Sequence, residues 1–382
     1  MSSPADPSAL PWPERLSSLL LDGGPQLFAA TVQRLQNLDV VQWMMVVLGL
    51  SALVVTFGEG VVLSRIARGS RGTRYDWSAF WATVRINLWR TLVEAIPMGA
   101  VLGASLPLGA WAYEHRLWTV PMDTWWGIAL LFLCTEFFYY WMHRAGHRIR
   151  WYWASHQVHH SGNQFNLAAA FRQSLTGKVT GGFVFFFPQC FLGFTPEAVL
   201  LSYGVNLVYQ FWIHAEWIPR LGWMEGIFNT PSAHRVHHGT NLEYLDANYG
   251  GVLLIFDRLF GTYVPEREDI AIRYGLVKPV TSTNALWICL HEWVAIARDL
   301  IKRPLWQAPG ILLGPPGWAP GEQGSTTEDM RRRAGLPAHR PRGGDAPASA
   351  SPARGAGAAT AAEGGDAARQ AAGDMVAPSA AG

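Results

Sequence analysis

The chain has 382 residues, 49% of them hydrophobic and only 15% charged, where an average soluble protein carries about 25% charged residues. Its 19 tryptophans suit aromatic belts at a bilayer surface. A net charge of +2 argues against a nucleic-acid partner. Three cysteines exclude a disulfide scaffold and any all-cysteine zinc or iron–sulfur site.

Residues 1–13 are acidic and proline-rich, unlike the basic start of a secretory signal. Residues 14–38 place Leu16, Leu19, Leu20, Leu27, Phe28, Val32 and Leu35 at helical spacing, so residues 1–38 read as an amphipathic, interfacial segment. Val40–Gly58 is uncharged and long enough to span a bilayer, and Arg65, Arg68, Arg71 and Arg74 then mark a cytoplasmic loop. Ala95–Tyr113 is a second span, with Pro97 in its first turn and Pro107 bending it further along. Thr124–Met142 is a third span that runs directly into His143.

Val179–Phe194 and Ala198–Ile213 form two further apolar stretches, broken by Thr195-Pro196-Glu197, and are expected to make a helical hairpin. Leu286–Ile301 reads as an amphipathic helix lying on the membrane. From about Pro320 the composition turns to Gly, Ala, Pro and Ser, so a disordered tail is expected there, with 306–382 as linker plus tail. On that reading, deleting 325–382 leaves activity intact. The fold class is all-α: an integral-membrane helical bundle with a cytoplasmic histidine-rich cap for two metals. Arg144, Arg148 and Arg150 agree with placing that cap inside the cell, and the expected location is a multi-pass protein of a bacterial inner membrane.

Histidine is the informative excess, with 12 in the chain. His143 and His147 form an H-x3-H box; His156, His159 and His160 form H-x2-H-H; His234, His237 and His238 repeat it. Residues three or four apart project from one helix face, so each box presents neighbouring imidazoles. Thr230-Pro231 is a capped helix start for the third box. Eight imidazoles exceed one ion and suit two with about four nitrogens each. Imidazole alone leaves iron, zinc, copper and nickel open.

Polar residues within apolar spans add to this set. Glu136 shares a helix face with His143 and His147, and buried ionisable groups in spans mark function. Asn206, Gln210 and His214 make one stripe at i, i+4 and i+8. Glu136, Asn206 and Gln210 are therefore the expected catalytic residues, and His214 is a ninth metal ligand or a donor to one. Asp257, within FDRLFGT, is expected to hold a loop or a helix end.

The boxes, in the segments YYWMHRAGH, HQVHHSGNQFNLAAAFRQS, QFWIHAE and NTPSAHRVHHGTNLEYLDANYGGVLLIFDRLFGTYV, resemble the fatty acid hydroxylase/sterol desaturase superfamily. Within it they are most similar to alkylglycerol monooxygenases and their bacterial relatives. The resemblance covers about residues 136–265. It implies a membrane-embedded oxygenase domain, here residues 39–305, in which the eight box histidines ligate two iron ions. It also implies O2 as co-substrate, a membrane lipid as substrate, and an electron donor protein or a pterin such as tetrahydrobiopterin as reductant. Lipid hydroxylation, sterol-type desaturation and ether-lipid cleavage all fit. The competing readings are a zinc-dependent membrane hydrolase with Glu136 as general base and a metal-binding membrane transporter.

Overall fold

The computed structural model describes residues 40–66, 75–320 and 324–337, and among these it is helical, with isolated β-bridges in place of strands. The interfacial segment 14–38 and Arg68, Arg71 and Arg74 lie outside the described residues. Helix α1 is Val40–Arg65 and α2 is Trp77–Glu114. Asp76 caps α2 by accepting from the Ser78 and Ala79 amides, so the helix starts well before the predicted span. Ala95–Tyr113 is thus the second half of a 38-residue helix, and Pro97 lies inside it rather than in its first turn. Among the described residues, Val47–Arg65 is the one helical segment long and apolar enough to cross a membrane, at mean hydropathy 1.9.

Helix α3, Trp125–Arg148, starts on the hydroxyl cap of Thr124 and carries the first histidine box at its end. Ile149 is extended, and α4, Arg150–His160, turns back against α3 with the second box. Gly146 makes this close approach: a Cβ there would sit 3.3 Å from the His156 ring. A four-residue helix α5, Leu167–Ala170, follows.

The predicted hairpin is corrected in its first arm. Gly181 and Gly193 adopt φ of +82° and +110°, which L side chains rarely take. They divide the stretch into a 3-10 turn at Gly182–Phe186 and a short α6, Phe187–Leu192. Only the second arm is a long helix, α7, Pro196–Trp212, capped by Thr195 with Pro196 in the first turn.

Helix α8, Pro231–His237, starts on the predicted Thr230 cap and carries the third box. The short α9, Ile255–Leu259, and α10, Ala285–Lys302, follow. Helix α10 packs one face on α2 and α4 and leaves Leu286, Trp287, Val294 and Ile301 exposed on the other. Ile288 and Cys289 are buried there with Ile86 and Val158. Its Glu292 and Asp299 clasp Arg150 at 2.7 and 2.6 Å, and Trp293 donates to Thr176. Arg150, offered above as a topology marker, is therefore buried and paired.

The chain continues through α11, Ala308–Leu313, to α12, Thr327–Arg333, which has a full capping box between Thr326 and Asp329. This corrects the expected tail boundary. Arg331 is buried and donates to the Leu242 carbonyl at 2.6 Å, and Glu328 pairs with Arg148. Thr327 donates to Asp246 as well, and composition missed this helix because such long-range polar anchors leave no mark on it.

Candidate metal centre

The folded chain sorts the histidines differently from their order in sequence. His143, His147, His156, His160 and His237 form one group, and His159, His214, His234 and His238 form a second. Within each group the ligand nitrogens lie within 4.8 Å of one another. Adjacent residues on a helix point about 100° apart. His159 and His160 therefore part company, as do His237 and His238, and each group draws on more than one box. The groups share a wall, where the His160 ring stacks on His238 at 4.2 Å and His234 stacks on His237 at 5.1 Å. His214, outside the boxes, belongs to the second group.

Hydrogen bonds at the outer nitrogens set the orientation of the rings. His143 Nδ1 donates to Tyr249 O at 2.8 Å, His159 to Ala169 O at 3.1 Å, His214 to Gln210 O at 2.8 Å and His237 to Ala247 O at 2.8 Å. A carbonyl only accepts, so Nδ1 carries the proton and Nε2 of each ring holds a bare lone pair. His159 and His214 nevertheless face each other through Nε2 at 3.3 Å. Other Nε2 pairs approach to 3.0 Å, for His143 with His156 and for His214 with His234. The Nε2 atoms of His147 and His237 are buried without a hydrogen-bond partner. Bare lone pairs at this spacing repel unless a cation lies between them. With metal–imidazole bonds of about 2.1 Å, such pairs would be ligands roughly 90–105° apart. The donor set therefore fits metal ions.

Burial, followed by neighbouring imidazoles, pushes His156, His160, His234 and His238 well below the ordinary histidine range. Burial brings His214 down to about 4. These rings are neutral at physiological pH, the form that binds metal.

The predicted catalytic residues come together as a chain between α3 and α7. Asn206 Nδ2 donates to Glu136 Oε1 at 2.5 Å, Gln210 Nε2 donates to Asn206 Oδ1, and Tyr139 donates to Gln210 Oε1 at 2.9 Å. Glu136 Oε2 accepts from the Val252 and Leu253 amides at 2.8 and 2.7 Å. Both carboxylate oxygens are thus occupied, and the chain reaches the second histidine group through the Gln210 carbonyl on His214. Asp257 is a loop holder as expected, accepting from the Tyr249 and Gly250 amides and from Thr262.

Sequence reading missed the segment Asp246–Tyr249, whose acceptors meet the first group, and Thr327 and Glu328 behind it. A cavity of about 660 Å³ is lined by His147, His160, His237 and His238 and also by Gln157, Lys278, Ser282, Trp287 and Arg333.

Residues 128–262 match the fatty acid hydroxylase family. This matched segment holds all nine clustered imidazoles, the Glu136 chain and Asp246–Tyr249. Alkylglycerol monooxygenase of Xenopus tropicalis is 41% identical over 215 residues, covering 55% of this chain and 46% of the relative. The Homo sapiens alkylglycerol monooxygenase is 38% identical over 227 residues, covering 57% and 49%. An ornithine lipid hydroxylase of Rhizobium tropici is 28% identical over 198 residues, covering 48% and 59%. The chain thus spans about half the length of the curated relatives it matches. No solved structure matches it.

Proposed function

We propose that the protein is a membrane-bound di-iron monooxygenase that hydroxylates a C–H bond of a lipid with O2 and an external reductant. The carrying observation is the pair of buried imidazole groups inside the hydroxylase-family segment. His143, His147, His156, His160 and His237 would hold one iron, and His159, His214, His234 and His238 the other. Iron bound there would supply the oxygen activation that side chains cannot. The protein's own part is orientation, neutrality and exclusion of water. Protonated Nδ1 atoms on fixed carbonyls keep the Nε2 atoms of His143, His159, His214 and His237 facing inward.

Access divides by polarity. Ile128, Leu133, Leu201 and Val205 are exposed on α3 and α7, an apolar exterior suited to lipid tails. The 660 Å³ cavity offers polar access on the side of Lys278, Ser282 and Arg333, which suits a reductant such as a pterin or a donor protein. The relatives' names favour an ether lipid. Hydroxylation next to the ether oxygen gives a hemiacetal that separates into an aldehyde and an alcohol. We place the centre on the cytoplasmic side of an inner membrane. The zinc hydrolase reading loses support because both oxygens of Glu136, its general base, are occupied by hydrogen bonds.

The test is metal content and oxygen labelling. Protein from iron-supplemented cells is expected to carry two irons per chain, and extracts supplied with ¹⁸O2 to place label in a lipid product. One zinc with no iron, or unlabelled lipids in the presence of iron-loaded protein, would overturn the reading.

A further inference from the structure

We propose that residues 246–249 form an acceptor strap that positions three of the five imidazoles in the first group, and so governs one metal site separately from the other. This rests on the two-metal reading above. Asp246 Oδ1 lies 3.4 Å from His147 Nδ1. One residue on, Ala247 O accepts from His237 Nδ1 at 2.8 Å, and Tyr249 O accepts from His143 Nδ1 at 2.8 Å. Three of four consecutive residues thus address rings from the first and third boxes. The second group takes its acceptors elsewhere, from Ala169 and Gln210.

The backbone of the strap is unusual. Asp246 and Asn248, at φ of 62° and 55°, are the non-glycine residues with positive φ among the described residues. Asp and Asn tolerate this region better than other L residues, yet they adopt it where the surroundings demand it. Here the surroundings do so in full. Asn248 Nδ2 donates to Ala233 O and Val264 O at 3.0 and 2.8 Å, while its Oδ1 accepts from the Val264 amide at 2.8 Å. Asp246 Oδ2 accepts from Arg148 at 2.9 Å and from Thr327 of α12 at 2.6 Å. Ala247, Asn248 and Tyr249 are fully buried. A buried loop with only a packing role has no need to aim three acceptors at three rings of one cluster. Acceptors behind metal-bound histidines fix tautomer and ring angle.

The experiment uses the full-length protein and two substitutions. Asp246→Gly keeps the left-handed backbone and removes the acceptor. Asp246→Asn keeps an acceptor oxygen and the backbone preference but loses the charge. Each protein is loaded with iron(II) without oxygen, its metal content is measured, and release to a chelator is followed over time. Unfolding of the metal-free forms is recorded in parallel. The expected result is that Asp246→Gly releases one of its two metals roughly 10–100-fold faster than wild type. The second metal leaves at the wild-type rate, and Asp246→Asn falls between. The metal-free unfolding midpoint of Asp246→Gly falls, because Asp246 also accepts from Arg148 and Thr327, but a general loss of stability would speed the release of both metals alike. If Asp246→Gly does not fold, Asp246→Asn carries the same test. Release of both metals at the wild-type rate, or their loss together, would overturn the strap alone. A wild-type protein that takes up no metal would overturn the two-metal reading and the strap with it.

Discussion

Helix α12 offers the sharpest disagreement between composition and structure, and two truncations expose it. One ends the chain at Pro320; the other ends it at Pro337 and keeps α12. Without α12, Asp246 loses the Thr327 hydroxyl, Arg331 no longer meets the Leu242 carbonyl, and Arg148 loses Glu328. Hydrogen bonds to charged groups contribute about 1.5–3 kcal/mol each, and a partly exposed ion pair about 0–1 kcal/mol. The truncated chain no longer bears the entropy cost of ordering that segment, which offsets part of this, so the net loss is about 2 kcal/mol. For a domain of this size that lowers the unfolding midpoint by about 3–4 °C. The cavity wall formed by Thr327, Met330 and Arg333 is also removed, opening His147 to water. The Pro320 truncation should therefore unfold earlier and release metal faster than the Pro337 form, in a thermal scan and a chelator assay. Identical behaviour of the two truncations would refute the assignment of α12 to the site.

Three further outcomes are expected. His214→Ala should lose metal from the second group and lose turnover, measured as iron per chain and lipid product; His214→Gln, which keeps bulk and a polar tip, should restore stability but not metal. Full iron and full activity in both would make His214 structural. Glu136→Gln should destabilise the protein by about 1–3 kcal/mol, because its amide can serve either the Asn206 donor or the Val252 and Leu253 amides but not both; an unchanged denaturation midpoint would count against the hydrogen-bonded chain. For the sidedness of the cap, cysteines placed at exposed Asn163 and Glu243 in a cysteine-free background should resist an impermeant reagent in intact cells and react after lysis. Asn241 is unsuitable for this, being buried and bonded to Ala271 and Arg273. Labelling in intact cells would reverse the topology.

Much of the centre was legible in residue order. The H-x3-H and H-x2-H-H spacings identify side-by-side imidazoles because helical geometry is local, and the Asn206–Gln210–His214 stripe reveals a polar face for the same reason. The Thr230-Pro231 start was legible too, since capping depends on the next three residues. What the tertiary structure alone decided is how nine rings divide into five and four. That partition depends on which face of α4 and α8 meets α3 and α7, and neighbours such as His159 and His160 end in different groups. Asp246 and Thr327 were equally invisible, because a contact across 81 residues leaves no periodic trace in either segment. Composition reports only how much apolar surface a segment can bury, so it could not foresee a helix held by an arginine, a threonine and a glutamate. Local spacing determines which side chains share a face; only the packed chain determines what that face meets.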